Sequence, residues 1–213
     1  KIAAIMPDLG WSNFKKKIVV LSTFYNSKDY IGNPFTLLSL RYKIIESAYR
    51  RNMIDVYGKG WEKHHTIKSI ENSRNDRDRR ISKDEILEGY KFNLCLENSN
   101  APFYVTEKIW DSINNHCLPI YHSNSTIYQL FPRNSFIDPL DFNNEPEALL
   151  NFVAEMSSNE YKKRLQMCID VFNKIIYNNQ NCTLKGKFSN LNINYLEYDS
   201  CANHLMKKIK SLV

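Results

Sequence analysis

Residues 90–142 constrain the fold most, because two short apolar runs there flank one helical pattern. The runs cover residues 92–96 and 118–121, and both have the length of buried strands. A polar turn follows the first run and leads into a helix predicted over residues 105–115. A strand, a helix and a second strand in this order predict a parallel β-α-β unit. The polar residues gather where the first strand ends, which is where open α/β sheets bind ligands.

The amino-terminal part predicts a second unit of the same kind. A buried strand is expected over residues 17–24 and another over residues 53–57. Between them, Asn33-Pro34 is typical of a helix start, with Asn as N-cap and Pro at the first helical position. Phe35 and Leu38 begin the helical spacing that follows. The two units together predict an α/β fold: a Rossmann-like parallel sheet flanked by helices.

The remaining segments fill in the predicted domain. Residues 62–80 are polar and predict a connector, and Ser82-Lys83-Asp84-Glu85 is a capping box that starts a helix reaching Tyr90. Further predicted elements are a short helix at 125–131, a short strand at 135–138 and helices at 146–156 and 160–176. We therefore expect a binding domain over residues 17–177. Residues 1–16 are a candidate interdomain segment, and residues 178–213 an irregular stretch with a last helix that packs on the domain.

Composition bears on the class of ligand that the chain could bind and on its cellular compartment. The chain has 213 residues, 43% of them apolar, and a net charge of +6, which suits an acidic ligand such as a nucleotide diphosphate, a nucleic acid or a membrane surface. The arginine-rich residues 74–80 are either a solvated loop or a phosphate or membrane contact. No apolar run reaches the roughly 18 residues of a membrane span. We expect a cytoplasmic protein, or one peripheral to a membrane surface.

Cysteine spacing gives no sign of a metal or redox site. The five cysteines are widely spaced and include no Cys-x-x-Cys pair. Cys95 and Cys117 lie in or beside apolar strands, so we expect small core residues. A reducing compartment fits this pattern best, and one disulfide stays open as an alternative.

Lys108 is the most informative single residue. It lies in the first turn of the predicted helix at 105–115, where the helix macrodipole disfavours a cation by about 0.3–1 kcal/mol. A lysine there makes sense if an anion binds beside it. The alternative is a surface lysine on an exposed helix face.

These motifs also carry a family resemblance. The runs Tyr90-Lys-Phe-Asn-Leu-Cys-Leu-Glu-Asn-Ser99 and Tyr104-Val-Thr-Glu-Lys108, with Leu118-Pro-Ile-Tyr121, Ser135-Phe-Ile-Asp138 and Asp141-Phe142, resemble the signature block of the α1,3/α1,4-fucosyltransferases, glycosyltransferase family 10. That family has a GT-B fold of two Rossmann-like domains. This chain resembles the carboxyl-terminal domain, which binds the donor nucleotide.

The resemblance implies a function and partners. L-Fucose would pass with inversion from GDP-fucose to a hydroxyl of an acceptor oligosaccharide, with this chain supplying the donor-binding domain. An amino-terminal acceptor-binding domain would provide the general base, and no residue here matches that base. No metal or other cofactor is expected, since GT-B enzymes hold the diphosphate with cations and helix dipoles. The alternatives are a non-catalytic nucleotide-sugar or glycan-binding module and, from charge alone, a nucleic-acid-binding protein, which we do not expect.

The resemblance also assigns donor-binding residues. Lys108 and Arg41 would contact the diphosphate, Glu107 would bond the ribose hydroxyls, and Tyr104 would lie against the nucleotide. Glu97, Asn98 and Ser99 would lie beside the sugar and phosphates. Each assignment has a purely structural alternative. Asn98 and Ser99 could be turn residues only, Glu97 could cap a backbone amide, and Arg41 could be an exposed arginine on a helix. Two departures from the family pattern are His122-Ser123-Asn124 in place of a Gly and Leu96 in place of Phe.

Overall fold

A computed structural model describes residues 15–25, 33, 35–64, 66–70 and 79–180 of the chain. The predicted segments at 1–14 and 181–213, with Cys182, Cys201 and the last helix, lie outside these ranges. So do residues 71–78, which hold much of the arginine-rich stretch.

The described chain forms a four-stranded parallel sheet with helices between the strands. The strands are β1 (Lys15–Leu21), β2 (Ile54–Tyr57), β3 (Tyr90–Leu94) and β4 (Leu118–Ile120). The helices are α1 (Leu38–Arg50), α2 (Arg79–Glu88), α3 (Glu107–Asn114), α4 (Pro146–Glu155) and α5 (Ser158–Gln180). Short 3-10 helices cover Trp61–Lys63, Ser125–Gln129 and Pro139–Phe142. The predicted α/β fold is confirmed, with most bounds within two or three residues.

The strand order in the sheet is β2-β1-β3-β4. All pairings are parallel, and Ile18 of β1 lies opposite both Ile54 of β2 and Phe92 of β3. The predicted strand at 135–138 reduces to a single bridge between Ile120 and Ile137, because the chain turns at once into Pro139–Phe142. From β1 the chain first moves outward to β2, then crosses back past β1 to β3.

Helices cover both faces of the sheet. Side chains of β1 alternate, so that Ile18 and Val20 join a large apolar cluster with Ile44 of α1, whereas Val19 packs in a smaller cluster with Leu87 of α2. Cys95 and Cys117 are buried, as the sequence predicts, and so is Cys168. Burial raises the pKa of all three thiols, so they stay protonated core residues.

Two predicted helix starts are wrong. Helix α1 begins at Leu38 rather than at Pro34, because Thr36 forms an antiparallel bridge with Ser99 and the Phe35 carbonyl accepts from the Asn100 N–H. Asn33 instead accepts a hydrogen bond from the Phe35 N–H at 2.9 Å, and Phe35 is 67% exposed rather than on a buried helix face. Helix α2 begins at Arg79, ahead of the expected capping box, and ends before Gly89, so that Tyr90 belongs to β3.

The connector after β2 is more ordered than its polarity predicts. Trp61 and Ile67 are buried, and the Ile70 N–H donates to the Val56 carbonyl at 2.9 Å. The described part of residues 62–80 is thus attached to the edge of the sheet rather than being a free linker.

Candidate functional site

The sheet order defines a topological switch point at the carboxyl edge of the sheet, and we call this edge, where Ser22, Glu97 and Asn98 lie, the crevice. Successive connections leave β1 and β3 in opposite directions, so the ends of these two neighbouring strands form the topological switch point where open α/β sheets bind ligands. Ser22 follows β1, and Glu97 and Asn98 follow β3 by three and four residues. The predicted site residues therefore gather at the point that the topology selects.

Arg41 joins the two strand ends. Its side chain leaves α1 and is only 4% exposed, so the alternative of an exposed helical arginine is wrong. The guanidinium donates to Ser22 Oγ at 3.3 Å, to the Glu97 carbonyl at 2.9 Å and to Asn98 Oδ1 at 2.9 Å, and it also bonds the Leu96 carbonyl. Burial lowers its pKa, although an arginine in a protein still keeps its charge.

The loop after β3 is paired with the entrance of α1. The Leu37 N–H donates to the Asn98 carbonyl at 3.0 Å, Thr36 and Ser99 form an antiparallel bridge, and the Asn100 N–H donates to the Phe35 carbonyl at 2.6 Å. Asn98 is exposed, with its amide oxygen on Arg41. The loop is therefore fixed by the backbone while the Asn98 side chain stays open to the crevice.

The loop after β1 is fixed by hydrogen bonds from residues other than those that fix the loop after β3. Trp61 Nε1 donates to the Ser22 carbonyl at 2.7 Å, and the Tyr25 N–H donates to the Tyr42 hydroxyl at 2.9 Å. Gly58, with a φ of +139°, allows this close approach, since a Cβ there would lie 2.1 Å from the Ser22 carbonyl oxygen. Ser22 thus has a fixed backbone and a hydroxyl that accepts from Arg41.

Glu97 is the buried centre of the site. Its side chain is 0% exposed. Oε1 accepts from the Thr106 N–H at 2.7 Å and from the Tyr121 hydroxyl at 3.0 Å, and the Thr106 hydroxyl lies 2.8 Å from both carboxylate oxygens. The carboxylate therefore does cap a backbone amide, at the residue that precedes α3. Its direct contact with a donor stays a prediction.

Lys108 lies in the first turn of α3, as predicted, and is paired with Glu97. Its Nζ donates to Glu97 Oε2 and to Thr106 Oγ1, both at 2.8 Å, whereas Glu107 Oε1 is 3.9 Å away. The side chain is 23% exposed, so it is neither free on the surface nor sealed in the core. A buried carboxylate thus holds a partly exposed ammonium at a helix N-terminus.

Glu107 and Tyr104 border this ammonium. Partial burial acts to raise the pKa of Glu107, but the nearby Lys108 and Lys83 and local hydrogen bonds outweigh it and bring that pKa below the ordinary value. Burial raises the pKa of Tyr104, against the opposing effect of Lys108. At neutral pH the site therefore has an ionised Glu107 and a protonated Tyr104 phenol.

Phe103, in the loop between β3 and α3 and directly before Tyr104, has an unusual backbone conformation. Its φ is +59°, in the left-handed region that glycine and asparagine favour, and its ring is 51% exposed. The Phe103 N–H donates to Thr126 Oγ1 at 2.8 Å, which attaches this loop to the 3-10 helix Ser125–Gln129. An aromatic side chain is thus presented to solvent at the rim of the crevice.

The segment His122-Ser123, which departs from the family pattern, is buried. His122 Nδ1 lies 3.2 Å from Asp138 Oδ2, and Asp138 also accepts from the Tyr128 hydroxyl at 2.5 Å and from the Leu140 N–H at 2.9 Å. The His122 carbonyl accepts from the Glu97 N–H at 2.9 Å. This segment therefore supports the Glu97 backbone from β4.

Sequence reasoning missed Thr106 and Tyr121 as site residues. Both bond Glu97, one from the turn before α3 and the other from the end of β4. The available signal was position, because Tyr121 ends a strand that neighbours β3 in the predicted β-α-β unit. Among the described residues, no group of three or more His, Cys, Asp or Glu side chains could hold a metal ion.

Comparison with known proteins identifies the family. Residues 27–182, well over half of the chain, match the model of the glycosyltransferase family 10 (fucosyltransferase) carboxyl-terminal domain. The chain belongs to this family, which confirms the resemblance in its sequence.

Curated relatives cover the same region. An α-(1,3)-fucosyltransferase, FucT, of Helicobacter pylori is 37% identical over 106 residues, which is 50% of this chain and 20% of that protein. α-(1,3)-Fucosyltransferase B of Drosophila melanogaster is 37% identical over 75 residues, or 35% of this chain and 17% of that protein. The chain thus spans about a fifth of the length of the curated relatives it matches.

Solved structures agree on the fold. Crystal structures of an α1,3-fucosyltransferase, one with GDP and one with GDP-fucose, superpose with a TM-score of 0.51 at 24% identity. They cover 70% of this chain and 37% and 38% of those chains. The described sheet and its helices therefore have the fold of one part of these GT-B-type structures. In the described part of the chain, no helix combines the length and the apolar character needed to cross a membrane.

Proposed function

We propose that this chain is the GDP-fucose-binding domain of an inverting fucosyltransferase, which transfers L-fucose to a hydroxyl of an acceptor glycan. The observation that carries the proposal is the cation pair Arg41 and Lys108 at the switch-point crevice. The family membership, and relatives that are named fucosyltransferases, support the choice of donor.

The charge in the crevice suits a diphosphate. Arg41 and Lys108 provide two cations beside the buried carboxylate of Glu97 and the more exposed carboxylate of Glu107, and the N-terminus of α3 adds a partial positive charge. As the glycosidic bond breaks, the leaving GDP gains negative charge. Cations fixed in advance stabilise that transition state more than the ground state, which lowers the barrier to transfer.

The bordering residues fit the rest of a nucleotide sugar. Glu107 is exposed and ionised, so it can accept hydrogen bonds from ribose hydroxyls. Asn98 and Tyr104 offer an amide and a phenol at the same edge of the crevice, and Ser99 adds a hydroxyl. With cations and a helix N-terminus on the diphosphate, we propose that the donor binds without a metal ion.

Transfer also needs an acceptor and a general base. Single displacement requires deprotonation of the acceptor hydroxyl by a group within hydrogen-bond reach. By analogy with the family, we propose that this base belongs to an amino-terminal acceptor-binding domain, and that this domain and an acceptor oligosaccharide are the partners of the chain.

Calorimetry with GDP, GDP-fucose, GDP-mannose and UDP tests the proposal. GDP and GDP-fucose should bind, and UDP should bind much more weakly. Equal affinity for GDP and UDP, or no binding of either at millimolar concentration, would contradict it. Lys174→Ala, which removes an exposed cation of α5, is the matched control and should bind GDP like the parent.

A further inference from the structure

We infer that Glu97 is a positioning residue that holds the Lys108 ammonium at the N-terminus of α3 and makes no direct contact with the nucleotide. The inference rests on the proposed function for its ligand, and it replaces the expected contact between Glu97 and the donor.

The Glu97 carboxylate has no free hydrogen-bond acceptor site left for a ligand. An ionised carboxylate offers about four acceptor sites. Donors reach it from the Thr106 amide, the Thr106 hydroxyl, the Tyr121 hydroxyl and Lys108 Nζ, all within 3.0 Å. Since the side chain is also 0% exposed, a phosphate or sugar hydroxyl finds neither a free lone pair nor an approach.

Lys108, unlike Glu97, keeps a hydrogen-bonding group for a ligand. An ammonium group has three N–H donors. Two of them meet Glu97 Oε2 and Thr106 Oγ1, and the described part of the chain shows no third acceptor within hydrogen-bond distance. Glu107 Oε1, at 3.9 Å, is too far for a hydrogen bond. One donor on a partly exposed side chain is therefore left for a ligand.

The buried Glu97 carboxylate also makes a lysine stable in this position. A cation in the first helical turn is disfavoured by the macrodipole, and a long flexible side chain loses rotamer freedom when fixed. The buried Glu97 charge offsets both costs, and the same carboxylate accepts the amide proton of Thr106. Glu97 thus sets the start of α3 and the place of the ammonium together.

The test is a double-mutant cycle of Glu97→Gln and Lys108→Ala, read by calorimetry with GDP and guanosine. Glu97→Gln alone should lower the affinity for GDP about two- to tenfold, because the ligand must then immobilise a Lys108 side chain that Glu97 no longer positions. Guanosine, which has no phosphate, should bind all four proteins alike. In the Lys108→Ala background, Glu97→Gln should change GDP affinity less than twofold.

Three results would overturn the inference. Additive losses of GDP affinity in the cycle would mean that Glu97 acts on the nucleotide independently of Lys108. An equal loss of guanosine binding would mean a general distortion of the site, and an unchanged GDP affinity in Glu97→Gln would mean no positioning. The matched control is Ser112→Ala, which removes a buried 2.8 Å hydrogen bond from α3 to the Cys117 carbonyl before β4 and should lower stability without changing GDP affinity.

Thermal unfolding of the same four proteins separates this inference from the proposed function, since it needs no ligand. Lys108→Ala should lower the midpoint temperature of unfolding by several degrees, because it leaves the buried Glu97 carboxylate without its counter-charge. In the Glu97→Gln background the same substitution should lower it clearly less. An equal loss in both backgrounds would overturn the pairing. If the coupling is present and the parent binds no GDP, the positioning of Lys108 stands and the proposed function is wrong.

Discussion

Removing Arg41 should cost the protein both stability and ligand affinity. In Arg41→Met the apolar stem is roughly preserved, but the buried carbonyls of Leu96 and Glu97 lose a charged donor. Each unsatisfied buried acceptor costs about 1–3 kcal/mol, which gives about 2–6 kcal/mol for the two. The desolvation of the guanidinium, seen in its lowered pKa, is recovered on mutation. We therefore expect Arg41→Met to lower the free energy of unfolding by about 2–4 kcal/mol.

Urea unfolding of the parent and the variant measures this loss. The midpoint should fall while the slope m stays the same, since the surface exposed on unfolding does not change. Lys43→Met is the matched control, because Lys43 is an exposed cation on the same helix and should change stability by less than about 0.5 kcal/mol. If Arg41→Met unfolds like Lys43→Met, the guanidinium does not join the strand ends, and our account of the crevice is wrong.

Arg41→Lys separates charge from geometry. An ammonium keeps the positive charge but cannot reach acceptors on two strands with a planar fork. If the fork fixes the crevice, GDP affinity should fall at least tenfold in Arg41→Lys, close to the loss in Arg41→Met. GDP affinity near that of the parent in Arg41→Lys would show that only the charge matters.

Three further predictions concern other parts of the site. Lys108→Ala should lower GDP affinity about ten- to a hundredfold, from a charged hydrogen bond of about 1.5–3 kcal/mol, and an equal fall for guanosine in calorimetry would refute the phosphate role. Gly58→Ala should destabilise the protein by about 2 kcal/mol or more in urea unfolding, whereas Gly89→Ala, with 3.6 Å to its nearest atom, should be near neutral. This chain alone should bind GDP-fucose without transferring fucose to N-acetyllactosamine, because positioning and a base are each worth orders of magnitude; robust turnover of radiolabelled donor would place the base within these residues.

The sequence predicts the elements well where local patterns decide them. Helix α3 and strand β4 are expected within two residues of their ends, because apolar periodicity and length identify buried strands and amphipathic helices. The start of α1 fails for a non-local reason. Phe35 continues the helical spacing, yet its backbone pairs with Asn100, which lies 65 residues further along the chain.

The site was predictable in its location but not in its connections. The position of Lys108 beside a helix N-terminus can be read from the Thr-Glu-Lys run and the macrodipole. The burial of Glu97, and its bonds to Thr106 and Tyr121, depend on the packing of β3 against β4 and of the turn against both. The contacts of Arg41 with both strand ends likewise depend on the strand order, which no local sequence pattern predicts.

The conformation of Phe103 bears on how this chain could change under selection. A bulky residue at a φ of +59° carries a backbone penalty of about 1–3 kcal/mol, and its half-exposed ring recovers little of that by burial. A sequence selected for thermal robustness alone would drift to glycine or asparagine here. Laboratory evolution for heat tolerance should find this substitution early, and comparing GDP affinity before and after it would reveal what the aromatic ring contributes to binding.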